Sequence, residues 1–187
     1  MLGFDDNQSM MYRLFSLISA SLVSLAACNP TFNWREAHWA QDKGLKVLLP
    51  CKADHGSRPM QVGNQTITLN MIGCEAGGAL FAVSEVDVID TKHAIEVQRQ
   101  WQQAMLGNMQ ADVSSELLKQ EGFVLRGASE QPPAIRIQAQ GKRQDGQALN
   151  LQAIWFARGG RLYHAAIYAE KLDANVTQTF FEGLRFP

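Results

Sequence analysis

The chain of 187 residues carries 17 basic and 18 acidic side chains, a formal net charge of −1, with 46% hydrophobic and 19% charged residues. That balance excludes the clustered Lys and Arg of a nucleic-acid surface and leaves no polybasic patch for anionic lipid. The length suits one domain with a substantial core.

Residues 1–10 (MLGFDDNQSM) are acidic and polar, the wrong flank for an export signal. They read as an over-assigned start, with Met10 or Met11 the expected initiator. From Met11 the chain shows one basic residue, Arg13, then an apolar run from Leu14 to Leu25 diluted by serines, then Ala26-Ala27-Cys28. This is the three-part layout of a secretory signal, and the run is too short for a comfortable membrane span. Leu25-Ala26-Ala27-Cys28 resembles the lipobox of bacterial lipoproteins, against the plainer reading of a secretory signal that happens to contain a cysteine. The resemblance implies cleavage before Cys28 and acylation of that cysteine. Each buried methylene contributes about 0.8 kcal/mol, so several acyl chains make a stable anchor where one does not. Asn29 stands where an aspartate would imply inner-membrane retention, so the expected address is the outer membrane, facing the periplasm. The implied organisation is a signal over 1–27, a lipidated tether over 28–33 and one domain over 34–187.

With Cys28 given to the anchor, Cys51 and Cys74 remain. A pair in an exported, oxidising compartment is most simply a disulfide. The alternative is a metal site drawing on Asp54, His55 and Glu75, but structural zinc sites show closely spaced ligand pairs such as CxxC, and none occurs here.

In chain order, Trp34 to Trp39 reads as a short strand, and Gln41-Asp42-Lys43-Gly44 as a turn. Leu45 to Leu49 is a second strand stopped by Pro50, and Cys51 to Gly56 a polar loop. Ser57–Val62 and Thr66–Cys74 flank Gly63-Asn64 as a hairpin, with Ile67, Leu69 and Met71 alternating against polar neighbours. Ala76-Gly77-Gly78 turns into a strand from Ala79 to Val86. Asp90 or Thr91 caps a long helix whose apolar face is Ala94, Val97, Trp101, Ala104, Met105 and Met109. The stretch from Ala111 to Pro133 is weakly patterned, with a helical turn at Ser114–Gln120 and a short strand at Phe123–Leu125. Strands return over Ala134–Gln140, Leu149–Trp155 and Leu162–Tyr168, separated by Asp145-Gly146 and Gly159-Gly160. Asp173 caps a closing helix through Val176, Phe180 and Phe181, broken at Gly183.

The expected class is therefore α+β: an antiparallel sheet with one long and one short helix packed on it. This order resembles the PsbP-like fold shared by the extrinsic PsbP subunit of photosystem II and bacterial envelope lipoproteins of the DcrB type. The resemblance spans Val47-Leu48-Leu49-Pro50, the strands to Val86, the long helix, and Gly160-Arg161-Leu162-Tyr163 before a Phe-rich end. It is an order of elements and not a residue motif, so it carries over no functional residue. It implies binding or assembly roles.

No catalytic constellation stands out. His38, His55, His93 and His164 show no HxxxH spacing, there is no GxSxG elbow, and neither glycine pair opens a helix as a phosphate loop does. Asp87 and Asp90 at the helix entrance read as capping groups. Trp34, Trp39, Trp155, Tyr163 and Tyr168 are candidate binding aromatics, and Trp101, Met105 and Met109 an adaptable helix stripe; the plainer reading, and the preferred one, is that both sets fill the core. The expectation is a non-enzymatic, membrane-anchored factor that binds or assembles another envelope protein, with no cofactor, metal or nucleic acid. The alternative is a carrier of a small apolar ligand in a pocket between sheet and helix.

Overall fold

The computed structural model describes residues 30–38 and 44–187. Residues 1–27, read above as a signal, and Cys28 and Trp39 lie outside the described residues. Short β1 (Arg35–His38) and β2 (Lys46–Leu49) pair with each other. A seven-stranded sheet follows, built from β3 (Asp54–Val62), β4 (Gln65–Ala76), β5 (Ala79–Asp87), β6 (Lys119–Gly122), β7 (Ile135–Lys142), β8 (Ala148–Arg158) and β9 (Arg161–Ala169). Its order is β3-β4-β5-β9-β8-β7-β6, antiparallel throughout. The long helix α1 (Thr91–Asn108) carries the chain from β5 to the far edge, from which the meander β6 to β9 returns inward. The short helix α2 (Ala174–Glu182) closes the fold. The α+β architecture with one long and one short helix is as the sequence implied.

Both faces of the sheet are covered. On β9, Tyr163, Ala165 and Ile167 enter one core with Phe81, Phe156 and Phe180, under α2 and β2. Leu162 and Ala166 enter the other, with Val97, Trp101, Met105 and Trp155, under α1. Burial on two sides explains why Leu162–Tyr168 reads as an almost unbroken apolar run.

Asp90 caps α1, its carboxylate accepting from the His93 amide at 2.7 Å. The Ile89 amide donates to His93 Nδ1 at 3.2 Å, which fixes that histidine in the helix entrance. The buried stripe is Ala94, Val97, Gln98, Trp101 and Met105. Ala104, expected among them, is exposed, and Gln98 is buried in the stripe. At its far end α1 is held to the end of β7, where the Lys142 amide donates to the Met109 carbonyl at 2.7 Å. A Cβ at Gly141 would lie 2.1 Å from that carbonyl oxygen, so this close approach requires glycine.

Cys51 and Cys74 form a disulfide with Cα atoms 6.0 Å apart, tying the segment after β2 to β4. Both sulfurs are thereby used, which closes the metal-ligand alternative for them. Three local expectations are corrected. The polar stretch before Ser57 is not all loop, because β3 begins at Asp54 and pairs in register from Asp54↔Gly73. Of the helical turn expected at Ser114–Gln120, residues 114–117 form turns and a bend, and Lys119 and Gln120 already belong to β6. The strand expected at Phe123–Leu125 instead lies at Lys119–Gly122, a fully exposed edge strand defined by pairing with β7 and therefore without alternation.

Candidate functional site: a groove between the sheet and the long helix

Register lines up three rows of side chains across the strands on the α1 face. The first is Met71, Ser84, His164 and Trp155; the second is Gly73, Ala82, Ala166 and Ala153; the third is Glu75, Leu80, Tyr168 and Leu151. The small residues of the middle row leave a depression between bulkier neighbours. Beside it, α1 supplies Trp101 and Met105 as a wall. The result is an open groove of about 1340 Å³, lined by apolar Leu69, Met71, Ala82, Trp101, Met105 and Tyr168 among others. Gly73 on its floor accepts no side chain, since a Cβ there would meet the Phe81 carbonyl oxygen at 2.5 Å.

His164 lies deep in this wall. Its ring packs against Trp101 at 5.0 Å and Trp155 at 4.5 Å between centroids. It is 4% exposed, and neither ring nitrogen has a hydrogen-bond partner among the described residues. Burial drives its pKa down to about 3, so it is neutral at ordinary pH. Ser84 stands directly across from it on β5. No hydrogen bond joins the two, and an imidazole so hard to protonate is a poor general base near neutrality.

The rim is charged. Arg58, next to Leu69 on β3, and Lys142 and Arg143 after β7 line the groove with Lys52, against the acids Asp54 and Glu75. None of these four cations makes an ion pair among the described residues. Half-buried Tyr168 has its pKa pushed up to about 12 by burial, with the nearby Arg58 charge opposing. The phenol is therefore a hydrogen-bond donor at every relevant pH.

A second concavity of about 800 Å³ lies on the α2 face, lined by Phe123, Gln138, Gln152 and Phe181 among others. Arg136 spans it, its guanidinium 4.8 Å from the Phe123 ring centre and 3.2 Å from Glu121.

The aromatics singled out from the sequence separate. Trp155 is fully buried and Tyr163 is 3% exposed, stacked on Phe156 at 5.3 Å. Both are core residues and not surface aromatics, because they sit on β8 and β9 in the middle of a sheet covered on both faces. Trp34 is half-buried, edge-on to Phe81 at 6.1 Å. Among the described members of the set, Tyr168 alone lines the groove. The stripe of Trp101, Met105 and Met109 is core, with Trp101 and Met105 also walling the groove. His55 is exposed on β3 and His93 belongs to the helix entrance. Sequence reasoning missed Gly73, Ala82 and Ser84, whose significance comes only from register across three strands.

No protein-family model matches the chain, and no curated protein matches it. Among solved structures, it is similar to PA94 from Pseudomonas aeruginosa, a protein of unknown function. The match has 16% identity and a TM-score of 0.44, and covers 80% of this chain and 92% of that one. A likeness at that level carries no inference about function.

Proposed function

We propose that this chain is a lipid-anchored protein of the bacterial envelope that carries a small apolar ligand in the groove between the sheet and α1. The groove is the observation that carries the reading: a roomy apolar trough with a few polar groups at its edge is the general form of a small-molecule site. The Cys51–Cys74 disulfide fits an oxidising, extracytoplasmic compartment. Among the described residues no helix is long and apolar enough to cross a membrane. Attachment in this reading rests on acylation of Cys28, with the outer membrane as its address, and the domain is of the PsbP and DcrB type. Turnover is not part of it, since Ser84 and His164 adjoin without the hydrogen bond of a nucleophile and base.

The second reading is an assembly factor presenting a surface to an envelope protein. It is favoured by Leu117 and Val124, 52% and 93% exposed, which both border the concavity beside α2.

Uptake of the fluorescent probe N-phenyl-1-naphthylamine tests the carrier reading. The wild-type chain is expected to bind it saturably. Ala82→Phe, which adds a ring to the groove floor, should weaken that binding by about tenfold or more, some 1.4 kcal/mol. No uptake, or equal uptake by the variant, would contradict the reading.

A further inference from the structure

The two edges of the seven-stranded sheet are built differently. β3, at one edge, carries Pro59 in its middle, which has no N–H to offer a further strand. β6, at the other edge, holds no proline, and all four of its residues are exposed. Among the described residues it pairs on one side only, with β7.

The alternation of an antiparallel ladder fixes which backbone groups of β6 face outward. The Phe123 amide donates to the Ala134 carbonyl at 2.9 Å, one step beyond the Gly122↔Ile135 pair. Hydrogen-bonded pairs recur at every second residue, so Glu121 and Lys119 also turn their N–H and C=O towards β7. Gln120 and Gly122 turn theirs to the open edge.

Side chains alternate as well. Lys119 and Phe123 line the concavity on the α2 face, and between them Glu121 holds Arg136 at 3.2 Å. Lys119 makes no ion pair among the described residues. A second β6 laid antiparallel, Gln120 against Gln120, complements the first. The two Gln120 residues exchange both N–H···O bonds across the axis. Each Lys119 then stands opposite the partner's Glu121 in the closer, non-hydrogen-bonded kind of pair, with Cα atoms about 4.5 Å apart, where opposite charges attract. A slip that centres the pairing on Glu121 sets two carboxylates face to face. The same antiparallel order brings the Leu117 end of one copy against the Val124 end of the other, and these residues are 52% and 93% exposed.

We infer that β6 is a dimerisation edge whose partner is a second copy of this chain, joined two-fold at Gln120 so that the two sheets run on into one. Such a contact closes on itself and covers the open edge. It is independent of any ligand in the groove on the α1 face.

Cysteine scanning of β6 in the full chain tests this, with diamide added to intact cells and covalent dimers read on non-reducing gels. Across the axis the two Gln120 Cα atoms lie about 5.5 Å apart, inside disulfide range, whereas Lys119 and Gly122 meet their own copies beyond about 7 Å. Gln120→Cys is therefore expected to give about tenfold more dimer than Lys119→Cys or Gly122→Cys. Adding Lys119→Glu to Gln120→Cys should lower the dimer about tenfold, and adding Glu121→Lys as well should restore it, because the facing charges are then exchanged. If that triple variant fails to fold, the position dependence of the single cysteines still decides. No crosslink, a maximum at another position, a Gln120→Cys band joined to a different protein, or a dimer undiminished by Lys119→Glu would each overturn the inference.

Discussion

The imidazole of His164 lies against the indole of Trp155, ring centroids 4.5 Å apart with planes tilted by 35°. The two are register partners on neighbouring central strands, and Trp101 closes over the histidine from α1. An ionisable group is thus sealed in the wall of the groove with no hydrogen-bond partner among the described residues for either nitrogen. A buried polar group in this condition costs stability and ties the fold to pH.

The sign of that dependence follows from the depressed pKa. In the unfolded chain His164 takes a proton near pH 6.5, and in the folded protein only near 3. Below pH 6.5 the unfolded state binds more protons, so stability falls as the pH drops from about 6.5 towards 3, by at most roughly 1.4 kcal/mol per unit. Urea midpoints measured across this range should show the loss. His164→Phe keeps the ring stack without the nitrogens and should flatten the slope. An identical slope in the variant would show that other groups set the acid response.

Trp155 and Trp34 should separate sharply on truncation. Trp155 is fully buried, so Trp155→Ala is expected to lower stability by about 3–5 kcal/mol. Trp34 is half-buried at the margin of the other core, and Trp34→Ala should cost clearly less. Equal losses in denaturant midpoints would contradict the placement of Trp155 in the core.

Removing the disulfide by Cys51→Ser with Cys74→Ser should lower stability by about 3 kcal/mol in the chain-entropy model, for a sequence separation of 23 residues. An unchanged denaturation midpoint, or labelling of both thiols in the native protein, would contradict the bridge.

The anchor is tested by intact mass spectrometry of membrane-extracted protein. A chain beginning at an acylated Cys28 is expected, and Cys28→Ala should leave it unprocessed or released from membranes. An unmodified N-terminus at another residue would exclude the lipoprotein reading.

Most of the fold was legible because its signals are local. Alternation marked β4, β7 and β8, glycine-containing turns fixed the hairpins, and Asp90 and Asp173 announced both helices. The exposed edge strand β6 was not legible, since none of its four residues is buried and only pairing with β7 defines it. The groove was hidden for a related reason. Gly73 and Ala82 are unremarkable in sequence and become a floor only when β4 and β5 align. Whether Trp155 and Tyr163 fill the core or meet a partner was left open by the sequence, because alternation in a doubly covered sheet does not reveal which face meets water; their burial decides for the core.

The central claim is that the α1 groove holds a ligand. Native mass spectrometry of the full chain released from its own membranes tests it most directly, because a carried molecule adds mass without a covalent bond. A discrete mass that dissociates on collisional activation is expected on the wild type and not on Ala82→Phe. A wild-type chain with no such mass, or the same mass retained by Ala82→Phe, would contradict the claim.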